Sequence, residues 1–161
     1  MKIGVISDTH DRLPTFRRAV AMFRRWKVDA VFHAGDYVAP FAAKLMAPDE
    51  LSITTHCIYG NNDGERAGLK NVLPHLVDGP YKIKLAQRTI VMHHFFDWLK
   101  PADLAGTQVV IGGHDHLPAI AQRDGKLWVN PGECCGWLYD RCTVAVVDLE
   151  TLEAQIVDVH E

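Results

Sequence analysis

No apolar run in this sequence is long enough to span a membrane, so no membrane partner is expected. No signal-peptide pattern leads the chain either. Met1 runs directly into the strand-like KIGVIS, which points to a cytoplasmic protein. There is no basic surplus: 17 Lys and Arg face 20 Asp and Glu, a net charge of -3. Binders of long nucleic acid usually carry an excess of positive charge, so that class is set aside, whereas short nucleotides held through metal ions are not. Cysteine is sparse. Cys57, Cys134, Cys135 and Cys142 include no CxxC pair, which excludes a structural zinc site of that kind. Adjacent Cys134 and Cys135 seldom bridge each other, and a reducing cytosol disfavours disulfides. Free thiols are expected, the adjacent pair as small soft residues of a tight loop. Repeats, linkers and low-complexity tracts are also missing, so the 161 residues form one domain, 1–161. A hydrophobic content of 48% is enough for a sizeable core.

What is present starts with short apolar runs. IGVI (Ile3–Ile6) reads as a buried strand that stops at the polar SDTHD. Leu13, Phe16, Ala19, Val20, Phe23 and Trp26 then recur at helical spacing, with Arg17, Arg18, Arg24 and Arg25 on a solvated opposite face. DAVFHA and SITTHCIY are strands, PFAAKLMA a short helix, and RAGLKNVLPHL a helix with Pro74 near its end. Further on, YKIKLAQRTIVMHH reads as two strands, DWLKPADLA as a short helix and TQVVIGG as a strand. AIAQRDGKLWVNPG is a hairpin turning at Asp124–Gly125, and CTVAVVDLETLEAQIVDV is a second with Glu150 and Thr151 at its turn. The order βαβαβα followed by mostly β predicts an α/β fold of two packed sheets with helices outside, not one doubly wound sheet.

Five of these strands end at polar clusters. They supply Asp8 and His10, then Asp36, then Asn61 with Asp63 nearby, then His93 and His94, then His114 and His116. Ligands of α/β sheets bind in the crevice beyond the carboxyl ends of the strands, so the clusters can converge on one site. Each residue alone is an ordinary turn former; the joint pattern is what points to chemistry. Mixed nitrogen and oxygen donors suit Mn, Fe, Ni, Co or Zn better than Ca or Mg. Two such ions about 3.5–4 Å apart generate a hydroxide and clamp a phosphoryl oxygen. Glycines 35, 60, 112 and 113 allow close backbone approach beside the clusters.

The motifs DTH (Asp8–His10), GD (Gly35–Asp36), GNND (Gly60–Asp63), HH (His93–His94) and GHDH (Gly113–His116) together resemble the calcineurin-like metallophosphoesterase superfamily. NPGECCG (Asn130–Gly136) extends the likeness to its small single-domain prokaryotic phosphodiesterases. The resemblance implies a four-layer α/β-β/α sandwich of two mixed sheets flanked by helices. It implies a dinuclear site of two divalent metal ions, with Asp8, His10, Asp36 and His116 on the first and Asp36, Asn61, His94 and His114 on the second. Alignment of the strand TIVM selects His94 over His93. Asp36 is implied to bridge, His94 and Asn61 to hold the geometry, and Asn61 and Asn62 to reach the phosphate.

Asn62 stands where many relatives have a histidine able to protonate a leaving group, and an amide is no general acid. Either small phosphodiesters with good leaving groups are the expected substrates, or another acid such as a metal-bound water serves. The retromer cargo-binding subunit shares the fold as a scaffold, which leaves a protein-binding reading as the alternative; a nuclease or cyclic-nucleotide phosphodiesterase is the other. A homo-oligomer is compatible with the family. His33 either orients Asp36 or packs in the core, and Asp63 is expected to hydrogen-bond a ligand. His56, His75 and His160 read as core or surface. Phe95, Phe96 and Trp98 line a substrate wall, a subunit contact or the core.

Overall fold

The computed structural model describes residues 1–159, so His160 lies outside the described residues. Two five-stranded sheets pack face to face. In the first, β1 (Lys2–Ile6), β2 (Ala30–His33) and β3 (Thr54–Cys57) run parallel, with Ile3 opposite Ala30 and Ala30 opposite Thr54. The hairpin of β9 (Thr143–Asp148) and β10 (Glu153–Asp158) adds to β1 antiparallel. The second sheet has the order β4-β5-β6-β8-β7, from β4 (Tyr81–Leu85), β5 (Arg88–Met92), β6 (Val109–Ile111), β8 (Lys126–Pro131) and β7 (Pro118–Arg123). Its three central strands, β5, β6 and β8, are parallel.

The period of two in the strands splits the core into two layers. Ile3 and Val5 of β1 point between the sheets, where they meet Phe32, Ile90, Met92, Val109, Ile111, Leu127, Val129 and Val147, all essentially inaccessible. Ile6 points the other way, toward Phe16, Ala19, Val20 and Phe23 of α1 (Leu13–Trp26). Each such fully buried aliphatic or aromatic side chain contributes about 1.5–3 kcal/mol. Strands covered on both faces read as unbroken apolar runs, and IGVI is one. The outer face of the second sheet is covered thinly: Phe96 packs edge-on against Trp128, and Lys82 Nζ ties β4 to the carbonyls of Asp103 and Ala105. Together these layers form the four-layer sandwich of two mixed sheets and flanking helices. Among the described residues no helix is long and apolar enough to cross a membrane.

Where the expected helical stretches meet a proline they are interrupted, for one reason. A residue before proline is pushed out of the helical region, and proline itself suits a first helical position. PFAAKLMA divides into α2 (Pro40–Ala43) and a 3-10 turn, after which extended Ala47 introduces α3 (Pro48–Leu51), a helix not anticipated. RAGLKNVLPHL stops at Val72 as α4 (Arg66–Val72), because Leu73 precedes Pro74. DWLKPADLA becomes a 3-10 turn over Phe96–Trp98 and α5 (Pro101–Leu104), separated by extended Lys100. The turn at Asp124–Gly125 has positive φ at both residues, as a two-residue hairpin loop requires.

Candidate metal centre

Because β1, β2 and β3 are parallel, and β5, β6 and β8 likewise, their carboxyl ends present their polar loops at matching edges of the two sheets. All seven residues expected as ligands meet there. Asp8 Oδ1 lies 3.4 Å from His116 Nε2 and 3.7 Å from His10 Nε2. Asp36 Oδ2 lies 3.5 Å from His10 Nε2 and 3.4 Å from His94 Nε2. Asn61 Oδ1 is 3.0 Å from both His94 Nε2 and His114 Nδ1. The result is two abutting donor sets that meet at one Asp36 oxygen. Asn61, Asn62 and His114 are on the solvent side, whereas Asp8, Asp36, His94 and His116 are buried.

The donors fit a pair of cations. Asp8 Oδ1 and His10 Nε2 are buried without a hydrogen-bond partner, and their mutual distance exceeds a hydrogen bond. Such groups are costly to leave unsatisfied, and nitrogen and oxygen donors crowded at this spacing offer lone pairs to a borderline divalent ion. The ring tautomers agree. His94 Nδ1 is 2.8 Å from the Ala34 carbonyl and His116 Nδ1 is 2.7 Å from Glu133 Oε2. Both acceptors require N–H at Nδ1, which leaves each Nε2 lone pair facing the site.

The surrounding loops are strained to achieve this. Asp8, His10, Asp36, His114 and His116 all have positive φ, between 36° and 74°; such conformations cluster at functional sites and persist only where the surroundings over-determine them. Asp63 supplies much of that restraint. Its carboxylate accepts the backbone N–H of Asp36, Gly60, Tyr37 and Val38 at 2.7–2.9 Å, including that of Val38, a β-branched residue at φ 81°. His33 contributes from the other side: Nδ1 accepts the Gly35 N–H at 3.2 Å, and its ring stacks on Tyr37. It positions the loop carrying Asp36 without touching the carboxylate. Two glycines permit close approach. A Cβ on Gly60 would stand 2.6 Å from the Asp36 nitrogen, and one on Gly113 would stand 2.8 Å from Asp8 Oδ2.

The charges interlock. Burial opposes a proton on His10 and on His94, yet the nearby carboxylates of Asp8 and Asp36 outweigh it and raise both histidines above their ordinary pKa. Burial likewise opposes the Asp36 charge, but His94 and the two Asn62 donors hold that carboxyl well below the usual range. Protons therefore compete with a metal for His10 and His94 at higher pH than for a free imidazole. Metal affinity is expected to fall continuously between about pH 8 and about pH 5, as protonated imidazole cannot ligate. A flat affinity in a chelator competition across that interval would exclude these histidines.

The neighbouring candidates separate cleanly. His93 turns away: its Nδ1 accepts the Phe95 N–H at 3.0 Å and its ring packs near Trp98. His56 pairs with the Tyr81 hydroxyl and His75 with Thr55. Cys134 and Cys135 are buried, and burial pushes both thiols far up, so they are protonated packing residues. Asn62, expected at the phosphate, uses its side chain to hold Asp36 Oδ2 at 2.8 Å and its backbone N–H to hold Oδ1 at 2.8 Å.

One residue was missed. Glu133 is fully buried and accepts from His116 Nδ1, Cys135 Sγ and the N–H groups of Leu138 and Tyr139. It follows β8 as the other site residues follow their strands, within the stretch NPGECCG that the family likeness marked without giving Glu133 a role. Removing a carboxylate behind a ligating histidine typically costs 10–100-fold in metal affinity. Glu133→Gln is expected to weaken divalent-ion binding at the donors around His116 by about 30-fold in an isothermal titration. Unchanged affinity would deny Glu133 that role.

The calcineurin-like phosphoesterase superfamily domain matches residues 1–152. A phosphodiesterase of Methanocaldococcus jannaschii is 37% identical over 161 residues, covering 95% of this chain and 96% of that one. The solved structure of an archaeal phosphodiesterase superposes with a TM-score of 0.87 at 34% identity, covering 98% and 99% of the two chains. Vps29 from Entamoeba histolytica, complexed with zinc, is similar in fold alone, with a TM-score of 0.69 at 18% identity over 99% and 100%. On the domain match and the near full-length identity, the protein belongs to the calcineurin-like phosphoesterase superfamily and is a hydrolase.

Proposed function

We propose that the protein is a dinuclear-metal-dependent phosphodiesterase acting on small phosphodiesters. The carrying observation is the pair of donor sets meeting at Asp36 Oδ2. Asp8, His10, Asp36 and His116 would hold the first ion and Asp36, Asn61, His94 and His114 the second. Manganese is the favoured metal, with Ni, Co, Fe and Zn compatible with the same donors. Bound there, two such ions supply Lewis acidity toward a phosphoryl oxygen and a nucleophilic hydroxide at neutral pH.

The chain's own groups set the rest. Asp36 is kept ionised and in one orientation by both Asn62 donors. Asn61 is exposed beside His94 and His114, where its amide reaches a phosphoryl oxygen. No titratable side chain occupies the Asn62 position, so the leaving group departs without a proton from it, which favours diesters with acidic leaving alcohols or phenols. The complete ligand set supports the enzyme over a scaffold, for which the likeness to Vps29 offers the fold alone.

The deciding assay strips the metal and adds back Mn, Ni, Co, Zn or Mg, with bis-p-nitrophenyl phosphate beside p-nitrophenyl phosphate. Metal-restored cleavage of the diester, with little of the monoester, is expected. Silence with every metal, despite two ions bound per chain, would overturn the reading.

A further inference from the structure

Two large exposed rings are each linked to residues of the metal centre, Trp137 to His10, and Trp98, through Phe95, to His114 and His94. Trp98 is 64% exposed and Trp137 61%. Neither is loose. Trp137 donates its indole N–H to the His10 carbonyl at 3.2 Å, and the Arg12 guanidinium sits 4.7 Å from its ring centroid. The backbone just after it is fastened by Glu133, which accepts from Leu138 and Tyr139. Trp98 stacks on Phe95 at 4.5 Å and 18°. Phe95 in turn lies 4.1 Å from the His114 ring and 5.0 Å from that of His94. One indole is thus attached to the first donor set and the other to the second.

A phosphodiester has two ester arms leaving one phosphorus, whereas a monoester has one. We propose that Trp98 and Trp137 are stacking platforms for those arms, so that the preferred substrates are phosphodiesters bearing flat aromatic groups, nucleobases among them. This rests on the phosphodiesterase reading and deepens it. Exposed rings pinned by neighbours present a π-face with little ordering cost, and stacking is tolerant of which ring it receives. The Arg12 contact behind Trp137 and the Phe95 contact behind Trp98 hold each face in place before any ligand arrives.

The test compares kcat/KM for bis-p-nitrophenyl phosphate and methyl p-nitrophenyl phosphate in the manganese-loaded protein. The leaving group is the same and only one arm changes. The ratio between the two substrates is expected to fall on the order of tenfold in Trp98→Ala or Trp137→Ala and to be kept in the Trp→Phe variants. A ratio unchanged in both alanine variants would overturn the proposal. A second measurement does not depend on turnover. Adenosine 5′-monophosphate should quench the tryptophan fluorescence of the loaded protein, ribose 5-phosphate should not, and the double alanine variant should lose the effect. If wild type cleaves no diester, the phosphodiesterase reading fails by itself, and the platforms stand or fall on this quenching. A homodimer that Trp98→Ala or Trp137→Ala dissolves would assign the rings to a subunit contact and overturn the proposal.

Discussion

Asp36→Asn, loaded with manganese, should hydrolyse bis-p-nitrophenyl phosphate roughly a thousandfold more slowly than wild type, the scale on which losing a principal charge-stabilising group is felt. The reason lies in one atom. Asp36 Oδ2 faces His10 and His94 from the two donor sets and accepts from Asn62 Nδ2. The amide preserves size and the acceptor for the Asn62 backbone N–H, but it removes the charge. In that orientation its NH2 group faces the Asn62 NH2, so two donors oppose each other, and in the flipped one it faces the Asn62 backbone N–H instead. Metal content is expected to fall with the activity while the thermal transition of the metal-free protein moves little. Activity within tenfold of wild type would mean that Asp36 is not the shared ligand.

Asp63→Ala is expected to act on stability first. Four backbone N–H groups lose their acceptor at once. Each hydrogen bond to a charged group contributes about 1.5–3 kcal/mol, but neighbouring losses do not add fully. A destabilisation of about 3–5 kcal/mol in urea unfolding follows. Burial raises the Asp63 pKa despite its donors, so the charge itself is held at a cost and the acceptor geometry is what stabilises. Asp63→Asn keeps one of the two oxygens and should recover about half of the loss. Should Asp63→Ala unfold within about 1 kcal/mol of wild type, the loop carrying Asp36 is held by something else. Metal binding is expected to weaken in both variants, since Asp36 and Gly60 lie on the two loops that Asp63 ties together.

Much of this was open to reading along the chain. The helix Leu13–Trp26 has the bounds its apolar spacing predicts, and every strand expected from an apolar run is present. Two expected helices err at prolines, one cut short before Pro74 and one divided before Pro101, and PFAAKLMA passes into a 3-10 turn at Lys44. At the site, the candidate donors were legible because each parallel strand is followed by a short polar loop, and the loops must share an edge. Glu133 was not, because a hairpin between β7 and β8 says nothing of how β8 runs against β6. Only the parallel pairing of Val109 with Leu127 brings the end of β8 to the same edge. Nor did Asn62 show its first role, since a side chain that secures a neighbouring carboxylate leaves no spacing signal.

The amino-acid order alone therefore determined which donors exist, at which strand ends they stand, and that an amide replaces an acid at position 62. Tertiary structure decided the pairings. His93 and His94 are adjacent just beyond β5, and tertiary packing turns His94 to Asp36 and Asn61 while His93 faces Trp98. The same packing sets two donor groups on one Asp36 oxygen and links Trp137 to His10, and Trp98, through Phe95, to His114 and His94. Contacts between residues far apart in sequence depend on strand direction and layer stacking, which local periodicity does not encode.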